Sequence, residues 1–272
     1  MTLEHRQSLT LATPERSRTA PIREYIDGAI HDLIATLPNP EELSPDDRRG
    51  IIARYTAVLE GNFIYWMTAA YLAVASEEAR SIIQDNLREE VRDNHPGMLR
   101  KFAMAARAVP TDSDALAVHR NLQNVRRFVA RLSGEKIVLM MTFFEGFITR
   151  FMPYFSELAA RQGSAEQEYT EVHGVVDLVH TQGLFRALEA EMRLMHTPPP
   201  PATTLLEGIE LLRTLIENIV HPTGGRERAH GSDVGDREAD TRSTSTVADE
   251  CRTAFSLPHD GRSPHSPRRA VT

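Results

Sequence analysis

The stretch KIVLMMTFFEGFITRFMPYF, Lys136 to Phe155, decides the fold. Its apolar residues do not alternate with period two and fall on every face of a 3.6-residue helix, so it reads as a helix buried all round. Glu145 breaks the pattern. It follows Phe144, with Met141, Phe147 and Ile148 on its own and neighbouring turns. A carboxylate there can hardly reach water, and a buried ionised group costs several kcal/mol unless it is paired or binds a metal. The partner is either a metal ion or an arginine, Arg150 or one from the segment 120–132.

Outward from this stretch, Gly and Pro fall at boundaries and apolar residues recur at helical spacing. The pattern predicts helices from Pro21 to about Leu37, from a Ser44 cap to about Ala75, and from a Ser76 cap to about Asn94. Further helices are expected over Pro96–Val109, Asp112–Leu132, Glu135–Ala160 with a bend at Pro153, Ser164–Met195 and Thr203–Val220. Pro198 to Pro201 form a stiff break. The expectation is an all-α bundle of seven or eight helices in one domain, residues 21–220. The polar, unpatterned residues 1–20 and the Gly-, Ser- and Arg-rich residues 221–272 are expected to be disordered.

The composition of the 272 residues, 41% hydrophobic and 25% charged, is ordinary for a globular protein. The net charge is −7, only Lys101 and Lys136 are lysine, and no basic stripe runs along a helix, which argues against a nucleic-acid partner. The single cysteine, Cys251, lies in the polar tail, so no disulfide framework or thiolate-ligated metal is expected. Residues 1–20 lack the apolar core of a secretory signal, and a cytoplasmic location is the default expectation. Two apolar runs, Gly61–Ala75 and Ile137–Phe155, fall short of a membrane span. The first is bounded by Glu60, Glu77 and Glu78, and the second contains Glu145 and Arg150.

Chemistry concentrates in four helices. In YTEVHGVVDLVHTQG, Tyr169 to Gly183, the residues His173, Asp177 and His180 stand at i, i+4 and i+7 and line one stripe within roughly 40°. Such a trio also arises on a solvated face. Glu60, in RYTAVLEGNFIYWMTAAYLAVAS, has Thr56, Ala57, Phe63 and Ile64 at its neighbouring turns and reads as a second core carboxylate. In IIQDNLREEVRDNHPGML, Glu90 shares a face with Ile83 and Leu87, whereas Glu89 points about 100° away and His95 follows. Glu90 is preferred, although Glu89, Glu90 and Asp93 also fit a solvated acidic face. Glu60, Glu90, His95, Glu145, His173, Asp177 and His180 together nearly balance two divalent ions. Oxygen and nitrogen donors without thiolate suit iron or manganese better than structural zinc. The competing interpretation is a metal-free helical binding protein whose core acids are salt-bridged.

No pair of Glu-x-x-His motifs marks a ferritin-like site. The order of Glu60, Asn86-Leu87-Arg88-Glu89-Glu90 leading to His95, Glu145, and His173-x-x-x-Asp177-x-x-His180 resembles the haem-oxygenase-like di-iron oxidases over residues 45–195. The interval between the glutamate pair and His95 is shorter than the family's pattern. Lack of a cysteine before 251 sets the chain apart from the thiamine-hydrolysing relatives. The resemblance implies a haem-oxygenase-like bundle holding two Fe(II) ions at those seven residues, with O2 as co-substrate and an external electron donor. It implies attack on a C–H bond or amine of a small substrate, by desaturation, N-oxygenation or oxidative C–C cleavage. Within the family the chain is similar to azetidine-forming members that desaturate and cyclise isoleucine in antibiotic biosynthesis, which makes an aliphatic amino acid the expected substrate. A homodimer is compatible with it. Phe63, Trp66, Phe144 and Phe147 are candidate pocket walls, and Arg126, Arg127 and Arg150 candidate partners for a substrate carboxylate.

Overall fold

A computed structural model describes residues 19–194 and 202–222. The expected break at Pro198–Pro201, the residue Cys251, and nearly all of the segments expected to be disordered lie outside the described residues. Among the described residues there are eight helices of eleven residues or more, one further turn of helix, and no strand. The helices are α1 (Ala20–Ala35), α2 (Pro45–Ala73), α3 (Glu77–Arg92), α4 (His95–Ala105), α5 (Asp112–Val129), α6 (Gly134–Arg161), α7 (Glu168–Leu194), the short α8 (Ala202–Leu205) and α9 (Glu207–Val220). The all-helical bundle expected from the apolar periodicity is therefore observed.

Local chemistry sets most of the boundaries. The Ser44 and Ser76 hydroxyls accept from the backbone N–H groups of Asp47 and Ala79, satisfying donors that a helix start leaves orphaned. Thr111 and Asp114 form a reciprocal capping box at the start of α5. Ser164 does not open α7 as expected. Its hydroxyl accepts from the N–H of Glu166 in a turn that follows Gly163 at φ 82°, which delays the helix to Glu168. The last helix likewise starts at Glu207, after the separate turn α8. Pro153 lies inside α6 without ending it.

Helix α6 is the axis of the bundle, packed against α1, α2, α7 and α9. Its phenylalanines 143, 144, 147, 151 and 155 are buried; Phe144, Phe147, Phe151 and Phe155 pack ring on ring in sequence, Tyr55 of α2 joins them at Phe151 and Phe155, and Trp66 packs edge-on to Phe144. Burying each ring contributes roughly 1.5–3 kcal/mol, so this column anchors α2 and α6 together. Helix α7 lies along α6 and also touches α3 and α4. That brings three of the four chemistry-bearing segments, those of Glu90 with His95, Glu145, and His173 to His180, together. No helix among the described residues is long and apolar enough to cross a membrane.

Candidate metal centre

The site begins at the α3–α4 junction. Helix α3 stops at Arg92, Asn94 adopts the left-handed conformation (φ 56°, ψ 45°), and α4 starts at His95 with Pro96 in its first turn. This reversal folds the first residue of α4 back onto the last turn of α3, and His95 Nδ1 lies 2.8 Å from Glu90 Oε1. The short glutamate-to-histidine interval is thus resolved by one strained residue, at a cost near 1 kcal/mol. Both side chains are buried.

Helix α7 supplies the rest of the imidazoles. His173 Nδ1–H donates to the backbone carbonyl of Tyr169 at 2.8 Å, which leaves Nε2 as a free lone pair. Its ring lies 4.5 Å from the ring of His95 and 4.2 Å from that of Tyr169. Burial disfavours charge on His173 and lowers it to about 4, so at neutral pH it is an uncharged donor. One stripe further on, Asp177 and His180 are also buried. His180 Nε2 meets Glu89 Oε2 at 2.9 Å, while its Nδ1 stands 3.7 Å from Glu145 and 3.9 Å from Asp177.

Two groups of ligand atoms result, Glu90 with His95 and His173, and Glu90 with Asp177 and His180; within each group the atoms lie within 4.8 Å of one another. Glu90 is common to both. Glu145, 0% exposed, abuts the second group. Among the described residues no arginine or lysine pairs with Glu90, Glu145 or Asp177; Arg150 is paired with Asp27, and Arg126 donates to Asn62. Both carboxylate oxygens of Glu145, both of Asp177, and Nδ1 of His180 are buried without a hydrogen-bond partner. Five orphaned polar atoms in one place is far from the usual condition of protein interiors.

The electrostatics follow. Burial pushes Glu145 up from the usual carboxylate range, only partly offset by the nearby His180. Burial likewise raises Asp177 well above it, and the charges of Glu145 and Glu90 act in the same direction. Burial opposes charge on His180, but Glu145, Glu89 and Glu90 outweigh it and lift the imidazole to about 9. Without a cation, the cluster holds protons in its place.

A cavity of about 20 Å³ opens onto the ligands, room for one water or ion. Its polar side is Glu90, His95, Glu145, His173 and Asp177; Leu59, Phe63, Ile64, Leu99 and Ile148 close the other side. Of the aromatic walls expected, Phe63 lines this cavity, whereas Trp66, Phe144 and Phe147 belong to the core column. None of Arg126, Arg127 and Arg150 lines it.

Six of the seven residues singled out from the sequence are brought together, and Glu60 is not. It is partly exposed, at 30%, and forms an ion pair with Arg100 of α4. The expected isolation of Glu60 counted only neighbours along its own helix, whereas the cation comes from another. Glu89, set aside in favour of Glu90, reaches back to His180 although its backbone position points away. One contributor was missed: Tyr169, which lies four residues before His173, both orients that ring and lines the cavity.

The fold and site together define an all-helical bundle with a buried carboxylate–imidazole cluster. Compared with known proteins, the chain matches no family model, no curated protein and no solved structure.

Proposed function

We propose that the chain is a non-haem di-iron, O2-dependent oxidase of the haem-oxygenase-like class. The observation that carries this reading is the set of five orphaned polar atoms on Glu145, Asp177 and His180, beside two ligand groups that share Glu90. Apolar surroundings make such a set costly unless cations compensate it. Salt-bridged acids of a metal-free binding protein would need cations at Glu145 and Asp177, and among the described residues no arginine or lysine pairs with either; Arg150, Arg126 and Arg131 are engaged elsewhere, and only His180 stands near, at 3.7 Å and 3.9 Å.

One ion would be held by Glu90, His95 and His173, the other by Glu90, Asp177 and His180 with Glu145, and Glu60 would join after leaving Arg100. Two ferrous ions so held would supply electrons to O2 and with them the oxidising power to break a C–H bond. The chain's own residues do the rest. Tyr169 holds the His173 ring with its Nε2 lone pair available. Glu89 Oε2 accepts from His180 Nε2–H and so orients the ring with Nδ1 toward Glu145 and Asp177. Leu59, Phe63, Ile64 and Leu99 exclude water from the open side of the ligands.

The substrate is an aliphatic amino acid, desaturated with cyclisation of isoleucine to an azetidine amino acid in natural-product biosynthesis, and an external donor supplies electrons. This part rests on the sequence resemblance, in which N-oxygenation and C–C cleavage are the neighbouring outcomes. Anaerobic loading with ferrous iron tests the centre: about two irons per chain are expected, and loss of both on His173→Ala with Asp177→Ala. Retention of far fewer irons by the unaltered chain overturns it. Stopped-flow mixing with O2 tests the substrate, since isoleucine should accelerate the oxidation transient and fatty acids should not.

A further inference from the structure

A second cavity, of about 160 Å³, lies between α1, α6 and α7 and shares no lining residue with the first. Its size matches a cavity that accepts a benzene-sized apolar group, so a chain of about six carbons fits it. Ile26, Ile30 and Leu178 supply apolar wall. Gly146 keeps the α6 surface bare, since a Cβ there would meet Ile30 Cδ1 at 3.0 Å. The two hydroxyls in the lining are already committed as donors, Thr149 to the carbonyl of Glu145 at 3.1 Å and Thr181 to that of Asp177 at 2.7 Å. They have no proton left for an anion.

The charged groups are of a different kind. The Arg23 guanidinium lies 3.7 Å over the Phe185 ring and makes no ion pair among the described residues. Arg150 is paired with Asp27 Oδ1 at 2.5 Å. Two guanidinium groups against one carboxylate leave one positive charge beside an apolar hollow. Guanidinium is the group whose fork matches a carboxylate.

We propose that this cavity binds a small aliphatic carboxylate, its chain against Ile26, Ile30 and Leu178 and its head group between Arg23 and Arg150. The site does not depend on the metal centre. Head-group binding would draw Arg150 away from Asp27, so Asp27 is a competitor for the same guanidinium.

Calorimetric titration of the full chain with hexanoate tests the site, with hexanamide and hexylammonium as uncharged and cationic counterparts. Saturable one-site binding of hexanoate alone is expected. Arg23→Gln should weaken it about tenfold, the loss of one charged hydrogen bond. Arg150→Gln should weaken it further because Asp27 is then left unpaired beside the head group, whereas Asp27→Asn should tighten it severalfold. All three side chains are exposed, so the variants should fold, which circular dichroism checks. Absence of saturable hexanoate binding, equal binding of hexanamide, or an affinity unmoved by the three substitutions would overturn the proposal.

Discussion

Glu90 and His95 face each other at 2.8 Å only because Asn94 between them turns left-handed. A non-glycine residue in that conformation costs about 1–2 kcal/mol, and asparagine is among the few that tolerate it. Asn94→Ala should therefore lower stability by about 1 kcal/mol in urea denaturation, while Asn94→Gly is tolerated. Ferrous affinity should fall with the alanine variant, because the same turn sets the distance between two ligands. Equal metal affinity in both variants would separate the turn from the site.

Gly97 gives a related expectation. The Asn94 side chain folds over it so closely that a Cβ would lie 2.2 Å from Asn94 Nδ2. Gly97→Ala gains helix propensity of about 1 kcal/mol. It must also push the Asn94 side chain aside, so metal affinity should drop even if thermal stability rises. Melting curves with and without ferrous iron would resolve the two effects.

Much of this site was legible in the sequence because its signals are local. Helical spacing placed His173, Asp177 and His180 on one stripe, and the capping serines 44 and 76 fixed where α2 and α3 begin. The departures were non-local. Nothing in the neighbourhood of Glu60 announces that Arg100, forty residues on, crosses its path, and the angular position of Glu89 did not show how far its side chain bends back to His180. The left-handed Asn94 had a visible signal, an asparagine directly before a His-Pro helix start, whose meaning depends on the chain reversing there.

The Glu60–Arg100 pair is exposed, and pairs of that kind contribute about 0–1 kcal/mol. Arg100→Gln should accordingly leave the metal-free protein nearly as stable. If Glu60 joins the loaded centre, breaking the pair should tighten ferrous binding up to severalfold, and Glu60→Gln should weaken it. Competition titrations against a chelator dye measure both; an Arg100→Gln variant that binds iron less tightly would remove Glu60 from the centre.

Protonation sets the pH dependence of the metal-free protein. The folded values of Glu145 and Asp177 are raised, so the stability they contribute is present at low pH and is lost as pH rises. His180, raised to about 9, contributes below its ordinary value of 6.5 and loses that contribution as pH climbs to 9. His173, lowered to about 4, acts oppositely, but only between 4 and 6.5. Above pH 6.5 His180 therefore acts unopposed by His173. With chelator present, urea stability should fall on the order of 1–3 kcal/mol between pH 6.5 and 9. Metal loading should release protons and flatten that slope.

Glu145 provides the sharpest separation between a structural and a functional role. Its two oxygens are buried without partners, so in the metal-free protein it is a cost. Replacing buried ionisable groups by well-packed apolar side chains commonly stabilises by about 1–4 kcal/mol. Glu145→Met keeps the volume and removes the orphaned oxygens among Phe144, Phe147 and Ile148. The metal-free variant should unfold at higher urea concentration than the unaltered chain, yet bind about one ferrous ion less. A carboxylate retained for packing would give the reverse, a less stable protein with metal binding unchanged. Measuring both quantities on one preparation decides between them.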